Sequence, residues 1–458
     1  MKRKKQSAYA ESLFTSDSAF MLSRILACLF LFLGFVPSAM GDIYEQNKLR
    51  FDLNDDGTCQ VIEYTLGGYK YDDEKIVIPE KINVDGKSYT VTSLGIYAFR
   101  GYINVPEIII PSTVTSIGYG AFFLCKSLSE ISIPSSVTLI GAEAFGACTG
   151  LKKIIFEDGN TTLQLGEMVV SENMFFNTPS LKEIYIGRNI LDPYSTIGID
   201  NSSFSGNKTI TKITMSNYVS VLQDEMFANC SALNTLILSN SLTKINQGAF
   251  KNCSNLQNLE IPNSVSTIEE NAFFECPLTN LTLGESVKSI GESAFCGSKL
   301  TSLRIPDSVI SIGRSAFESA PLSQLSLGNS LQTIGDYAFA LSNADVKNRL
   351  KEIIIPNSVT TIGNYAFNND DMLDTFDYDG IENVILGSSV SSIGYDAFGV
   401  MRLKKIVSYA LTPPSLGWSF SDWGHEVLIY VTPSVVNAYK SDSKWTGYEI
   451  KRVFNNKC

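Results

Sequence analysis

The chain has 458 residues, of which 44% are hydrophobic and 18% are charged, and its formal net charge at pH 7 is −11. This composition is typical of a folded chain, and the length suits two or three ordinary domains or one long repeat array. The acidic balance argues against nucleic acid and against anionic membrane surfaces as partners.

The first 41 residues have the features of an export signal. Residues 25–36 form an apolar run, and residues 39–41 (AMG) provide the small-x-small pattern of a cleavage site. The apolar run follows a positively charged segment that contains Lys2, Arg3, Lys4, Lys5 and Arg24. We therefore predict a signal peptide over residues 1–41.

The mature chain is expected to be secreted or held at the cell surface. The apolar run is too short to cross a bilayer as a helix, and no later segment is long enough, so no membrane span is predicted after cleavage. The start is open between Met1 and Met21, and lipidation of Cys28 is an alternative means of surface retention.

Residues 42–90 differ from the rest of the chain and are predicted to form an N-terminal β cap. Residues 49–53 and 59–62 alternate like strands on either side of an Asp-Gly turn, which predicts a hairpin. Residues 76–79 and 89–91 are further strand candidates around a second turn at Asp85-Gly86. A cap of this kind covers the open edge of a stacked sheet.

The same hairpin also matches the spacing of a calcium-binding loop, with glycine at position six and a carboxylate at position twelve. The candidate ligands are Asp52, Asn54, Asp56 and Glu63. Both flanks alternate like strands instead of forming amphipathic helices, so a plain hairpin turn is the favoured interpretation. No other metal and no cofactor is expected.

From residue 91 onward a unit of about 23 residues recurs. Residues 128–150 (LSEISIPSSVTLIGAEAFGACTG) and 300–322 (LTSLRIPDSVISIGRSAFESAPL) show the pattern. Self-similarity at this period is typical of a solenoid, whose units share one core. One phenylalanine marks each of thirteen copies: Phe99, Phe122, Phe145, Phe175, Phe204, Phe227, Phe250, Phe273, Phe295, Phe317, Phe339, Phe367 and Phe398.

Each unit contains the strand and the corner that one coil of a solenoid needs. Leu128, Ile131 and Ile133 alternate as a strand with apolar side chains on one face, and Pro134 ends it because proline has no N–H for the ladder. Gly141 permits a sharp corner before the chain returns to the core. Stacked coils therefore predict a parallel β-sheet along one face.

Residues 408–458 depart from the repeat and are predicted to form a C-terminal cap. All three tryptophans lie there and are expected to pack over the last coil: Trp418, Trp423 and Trp445.

The unit Leu-x-x-Ile-x-Ile-Pro-x-x-Val-x-x-Ile-Gly-x-x-Ala-Phe-x-x-Cys resembles the BspA-type leucine-rich repeat of secreted and cell-surface proteins. The resemblance covers residues 91–407 and implies a β-rich leucine-rich-repeat solenoid of about thirteen coils, with β segments capping both ends. It also implies surface display, adhesion and protein binding. The chain departs from the pattern near the Ile-Gly corner at Gln223, Asn246 and Glu269.

The sequence does not favour catalysis. His425 is the single histidine, and it lies far from the repeats, whereas serine and cysteine nucleophiles usually need a histidine base. The repeat cysteines follow the core phenylalanines and are expected to be buried thiols, since side chains in a ladder run parallel and do not face each other. We predict that the protein is not an enzyme.

Strand alternation places the residue between the two isoleucines of each repeat on the solvent side of the sheet. Apolar and aromatic residues there, with neighbouring charges, are the predicted ligand-binding positions: Ile109, Lys153, Ile155, Glu183, Tyr185, Lys212 and Ile237. The predicted function is adhesin-like binding of an extracellular protein or glycan through the sheet face and inserted loops. The alternatives are a surface glycan-processing protein or enzyme and a purely structural spacer.

Overall fold

The computed structural model describes residues 42–63, 74–166, 174–175, 177–192, 203–341, 350–368, 381–399, 403–417 and 427–453. The chain divides into two compact units, Met1–Ser205 and Gly206–Cys458. The predicted signal peptide lies outside the described residues.

The first unit is built almost wholly from short strands. They are β1 (Ile43–Gln46), β2 (Leu49–Leu53), β3 (Thr58–Ile62), β4 (Ile76–Val77), β5 (Lys81–Val84), β6 (Lys87–Leu94), β7 (Ile108–Ile109), β8 (Ser116–Ile117), β9 (Glu130–Ile133), β10 (Leu139–Ile140), β11 (Lys153–Phe156), β12 (Leu163–Leu165), β13 (Glu183–Ile186) and β14 (Ile190–Leu191).

Two kinds of strand alternate along the repeats. We call the first strand of a repeat, such as Glu130–Ile133, its display strand, and the second, such as Leu139–Ile140 before Gly141, its corner strand. The display strands β9, β11 and β13 pair in parallel, as do β4 and β7. The corner strands β8, β10, β12 and β14 continue a second sheet that begins with the N-terminal strands, in the order β1-β2-β3-β6-β8-β10-β12-β14, with β5 paired to β6. In the display strands the inward side chains, such as Ile154 and Phe156, are fully buried. The predicted parallel stacking is therefore present.

The N-terminal segment contains two antiparallel hairpins. The predicted hairpin forms between β2 and β3, and the second forms across Asp85-Gly86 between β5 and β6. Residues 76–79 were expected beside that second turn, but Ile76 and Val77 instead pair in parallel with the display strand β7. Strand β4 thus has the pairing of a repeat strand. The cap boundary at residue 90 stays a prediction.

The second unit repeats the same plan. Its strands are β15 (Lys212–Met215), β16 (Thr235–Ile237), β17 (Lys244–Ile245), β18 (Asn258–Glu260), β19 (Thr267–Ile268), β20 (Asn280–Thr282), β21 (Ser289–Ile290), β22 (Ser302–Arg304), β23 (Ser311–Ile312), β24 (Gln324–Ser326), β25 (Thr333–Ile334), β26 (Glu352–Ile354), β27 (Thr361–Ile362), β28 (Asn383–Leu386), β29 (Ser392–Ile393), β30 (Lys405–Ser408), β31 (Ser415–Leu416), β32 (Leu428–Val431) and β33 (Glu449–Arg452).

Its corner strands form one eight-stranded parallel sheet, β17-β19-β21-β23-β25-β27-β29-β31. Its display strands pair as β15-β16, β18-β20, β22-β24 and β26-β28-β30-β32-β33. Strands β32 and β33 therefore continue the display sheet into the region predicted as the C-terminal cap, whose boundary at residue 407 stays a prediction.

The repeat phenylalanines form stacked ladders in the core of each unit. Ring centroids of Phe99, Phe122 and Phe145 are 5.4 and 5.3 Å apart, and those from Phe227 to Phe398 are 5.1 to 5.7 Å apart. The backbone follows the same order, since the Phe99 N–H donates to the Ala121 carbonyl and the Phe122 N–H to the Ala144 carbonyl. Each coil thus donates to the coil that follows it.

Glycine at the corner permits a close approach of successive coils. A Cβ at Gly141 would lie 2.5 Å from the Tyr119 backbone nitrogen. Where Glu269 replaces this glycine, its N–H still donates to the preceding coil, at Ile245, over 2.9 Å. The departure at Glu269 therefore leaves the corner ladder unbroken.

The seven cysteines in the described residues are free thiols, and six of them are buried. Several donate to the carbonyl of the preceding coil's phenylalanine, as Cys125 does to Phe99 and Cys148 to Phe122. Burial raises the pKa of the Cys230 thiol to about 12. The expectation of buried core thiols is confirmed for Cys125, Cys148, Cys230, Cys253 and Cys276.

The second unit ends with a 3-10 turn (Pro433–Val435), helix α1 (Val436–Ser441) and strand β33. Trp445 is fully buried, and its Nε1 donates to the Pro414 carbonyl over 2.9 Å. The predicted packing of this tryptophan is confirmed, while Trp418, Trp423 and His425 lie outside the described residues.

Candidate binding surface

The structure brings four of the predicted binding residues together on two adjacent strands of the first unit. Strands β11 and β13 pair in register, with Lys153 opposite Glu183 and Ile155 opposite Tyr185. Ile155 and Tyr185 are half-buried, whereas their neighbours in sequence face the core. The prediction from strand alternation that these two side chains lie on the solvent side of the sheet is therefore confirmed.

The same outward column contains exposed apolar residues nearer the N-terminus. Ile109 is 37% exposed, and it pairs with Val77, which is 58% exposed. The sequence did not indicate that Val77 lies in this column, because the β5–β6 hairpin separates β4 from β7 along the chain. Between these residues and Ile155 the column contains Ser132.

Charges beside the column are paired within the sheet. The Lys153 ammonium lies 3.3 Å from a Glu130 carboxylate oxygen, and the Lys75 ammonium lies 2.9 Å from Glu107. Exposed pairs of this kind contribute about 0–1 kcal/mol to stability. Each of these two pairs is neutral overall.

The loop that follows β11, residues 157–161 and here called the acidic loop, is tied to both neighbouring coils. The Ser132 hydroxyl donates to Glu157 Oε1 over 2.7 Å, and the Tyr185 hydroxyl donates to Asp158 Oδ1 over 2.8 Å. The Gly159 N–H donates to the Gly187 carbonyl, and the Thr161 hydroxyl donates to the Ser135 carbonyl. The loop therefore presents its two carboxylates from a fixed backbone.

Arg188 is a fully buried arginine next to this loop, since it and Thr161 of the loop both donate to the Ser135 carbonyl. Its Nη1 donates to the Ser135 carbonyl over 2.6 Å and its Nη2 to the Pro134 carbonyl over 2.9 Å. Burial lowers its pKa to about 10, while the charge of Glu157 opposes that shift. The Nε has no hydrogen-bond partner within the described residues. Sequence patterns gave no signal for this role.

The remaining predicted residues belong to the second unit. Lys212 lies opposite Thr235, and Thr214 lies opposite Ile237, which is 50% exposed. The second unit also has an apolar column that the sequence did not mark as a site, made of Ile354, Ile385, Val407 and Tyr430 in register. Tyr430 was assigned to the cap, so it was not considered as part of a display strand.

The candidate calcium ligands form parts of the β2–β3 hairpin. Asp56 Oδ1 accepts from both the hydroxyl and the N–H of Thr58, which lowers the pKa of that carboxyl, and Asp52 accepts from Gln60 over 3.1 Å. Asn54 donates to the Thr58 hydroxyl. Burial raises the pKa of Glu63, whose carboxylate lies 3.9 Å from Arg100. The favoured hairpin turn is present, and calcium binding stays the alternative interpretation of these four residues.

The described residues contain no group of three or more His, Cys, Asp or Glu residues that is arranged to hold a metal ion. Among the same residues, no helix combines the length and apolar composition needed to cross a membrane.

A comparison with protein families gives one match. The profile described as "BspA type Leucine rich repeat region" matches residues 80–196, 170–297 and 267–398, with six copies of the profile. A search among curated proteins finds no match.

Solved structures of leucine-rich repeat proteins are also similar. One from Bacteroides ovatus is 21% identical, with 90% of this chain and 100% of that chain covered and a TM-score of 0.40. A leucine-rich cell surface protein from Faecalibacterium prausnitzii is 25% identical, with coverages of 85% and 98% and a TM-score of 0.35. The pneumococcal vaccine antigen PcpA is 20% identical, with coverages of 90% and 99% and a TM-score of 0.31.

Proposed function

Because the chain belongs to the BspA-type leucine-rich repeat family, we propose that it is an exported, adhesin-like binding protein of the cell surface. Its ligand is an extracellular protein or glycan, and it contacts that ligand through the display sheet and the inserted loops. Binding, not catalysis, is its activity.

One observation carries this proposal. Ile155 and Tyr185 stand side by side on the solvent side of a parallel sheet, next to a loop that is hydrogen-bonded to four residues of the neighbouring coils, Ser132, Ser135, Tyr185 and Gly187. Apolar and aromatic side chains on such a face favour interaction, because covering them removes apolar surface from water and orders little new chain.

The test is a binding screen with residues 42–458 against extracellular matrix proteins, bacterial surface proteins and glycans. For any ligand captured, the double variant I155S/Y185S should weaken binding by about tenfold or more, since anchors in the centre of an interface typically contribute 2 kcal/mol or more. Affinity is measured by biolayer interferometry, and thermal unfolding establishes that the variant is folded.

The matched control changes the same residue types in the second unit. Ile354 and Tyr218 are 59% and 48% exposed, so I354S/Y218S removes comparable apolar surface elsewhere. Binding that is lost in the control and kept in I155S/Y185S would place the ligand on the second unit. Hydrolysis of a captured glycan would favour the glycan-processing alternative, and failure to capture anything would favour a structural spacer.

A further inference from the structure

Three tyrosines from three successive coils lie together on the corner side of the second unit. Tyr337 and Tyr365 come three residues after the corner strands β25 and β27, and Tyr395 comes two residues after β29. The ring centroids of Tyr337 and Tyr365 are 4.8 Å apart with the planes at 14°, and those of Tyr365 and Tyr395 are 5.3 Å apart at 52°. We call these three residues the tyrosine ladder.

Hydrogen bonds between the coils hold the ladder in register. The Tyr337 N–H donates to the Asn364 carbonyl over 2.9 Å, and the Tyr365 N–H donates to the Tyr395 carbonyl over 2.8 Å. Side chains add a second link, since Asp336 Oδ1 accepts from the Asn364 N–H and Asn364 Oδ1 accepts from the Tyr395 N–H. A ligand that covers the rings would therefore order little of the protein.

The backbone at two of these positions does not favour tyrosine. Tyr337 and Tyr365 have φ of +57° and +56°, a region that disfavours bulky side chains. Other coils fill the same position with residues that adopt it more readily, such as Gly120, Gly248 and Asn271. The rings are half-buried, and Tyr395 is 37% exposed, so burial is incomplete. Strain at exposed aromatic residues is a reason to look for a ligand.

The spacing of the ladder narrows the chemistry of that ligand. A chain molecule that lies along the ladder stays in step only if its own repeat is close to the 4.8 and 5.3 Å between rings. An extended peptide presents the same face every second residue, about 6.6 Å apart, and falls out of step. An extended β-1,4-linked glycan advances by one sugar over nearly the length of one coil. The net charge of −11 argues against nucleic acid.

The polar neighbours of the rings favour a sugar over a helix. An α-helix advances by about 5.4 Å per turn, but helical ligands lay an apolar stripe into an apolar groove. The rings here carry hydroxyls and are bordered by Asp336, which is half-buried, and Asn364, which is exposed. A pyranose has an apolar C–H face for the rings and hydroxyls for the polar groups.

The local charge favours an uncharged sugar over an acidic one. Asp336 and Asp396 each adjoin a tyrosine of the ladder in sequence. The neighbouring cation is Arg314, whose guanidinium carbon lies 5.8 Å from the Tyr337 ring centroid. Two carboxylates thus outnumber one guanidinium, and a glycan carboxylate would be repelled.

We propose that the tyrosine ladder binds an extended, uncharged β-1,4-linked glycan, with one sugar ring against each tyrosine. This goes beyond the proposed function, because the ladder follows corner strands of the second unit and does not include Ile155 or Tyr185.

The experiment presents residues 42–458 with four β-1,4-linked hexasaccharides, built from glucose, xylose, mannose or N-acetylglucosamine. Maltohexaose is the matched control, since it contains the glucose units of cellohexaose but its α-1,4 links curl the chain away from a straight ladder. Isothermal titration calorimetry should show at least one β-1,4 hexamer binding about tenfold or more tightly than maltohexaose.

Variants then locate the bound hexamer. Y337N/Y365N removes two rings and installs a residue type that tolerates positive φ, as at Asn271, and should weaken binding about tenfold. Y395S leaves the other two rings stacked and should weaken it about threefold. Y218N/Y409N removes two tyrosines that are 48% and 41% exposed outside the ladder, and it should leave the affinity unchanged.

The proposal is overturned if no β-1,4 hexamer binds, if maltohexaose binds as tightly, or if folded Y337N/Y365N and Y395S keep full affinity. A helical peptide that loses affinity in Y337N/Y365N, while the hexamers do not bind, would also overturn it. A hexamer that binds I155S/Y185S as tightly as the unmodified chain supports it. The same comparison keeps the ladder distinct from the display surface, so either proposal can fail without the other.

Discussion

Arg188 shows how one residue can organise a surface without being part of it. Its guanidinium bonds to carbonyls 53 and 54 residues earlier in the chain and so links β13 to the turn that follows β9. The coil between them contains the acidic loop. A charge buried in this way is costly unless its hydrogen bonds are made, so the loop geometry and the arginine depend on each other.

Replacing Arg188 with methionine should therefore destabilise the first unit by about 2 kcal/mol, because two buried carbonyls lose charged donors. Amide exchange in residues 157–161 should rise more than exchange in β9, and R188K should be intermediate because an ammonium lacks the guanidinium's fork. Urea unfolding and hydrogen exchange measure both effects. Unchanged exchange in R188M would show that the loop is held by its other bonds alone.

At the scale of elements, the corner strands are only two or three residues long. The fold is therefore stabilised mainly by contacts between neighbouring coils. Gly141→Ala should destabilise the protein by about 1–3 kcal/mol, because the new methyl group meets the Tyr119 backbone and the coils must separate. Gly447→Ala is the control, since no atom lies within 4 Å of its added Cβ. Thermal unfolding compares the two variants. Equal stability would mean that the corner can accommodate the added methyl group without separating the coils.

Whole-molecule stability should not depend on disulfides. The repeat thiols are buried, and burial raises the pKa of the Cys230 thiol to about 12. An inaccessible thiol is a poor nucleophile. We expect the same unfolding temperature with and without reductant, and alkylation of Cys125, Cys148, Cys230, Cys253 and Cys276 only after denaturation. Peptide mapping by mass spectrometry checks this. Rapid labelling of any of these five in the folded protein would show that the core opens.

The sequence predicted the architecture well because the same core positions recur in successive repeats. Alternation also placed Ile155 and Tyr185 on the solvent side of the sheet, since side chains of a strand alternate with a period of two. It could not identify Arg188, because its acceptors are backbone carbonyls, which any residue supplies. Val77 and Tyr430 were missed for a different reason: a hairpin and a long connection break the period beside them, although strand pairing continues.

The one-way backbone ladder at the phenylalanine turns has a consequence for how such genes change. At these turns an N–H of one described coil donates to a carbonyl of the next, whereas at the corners the N–H donates to the preceding coil, so successive described coils present similar donors and acceptors to their neighbours. Duplication or loss of one complete repeat leaves equivalent junctions on both sides, and units of 23 and 22 residues both keep the rings stacked, as from Phe250 to Phe273 and from Phe273 to Phe295. Recombination between repeats can thus lengthen or shorten the array while the core is preserved, and loops such as the acidic loop can diversify independently.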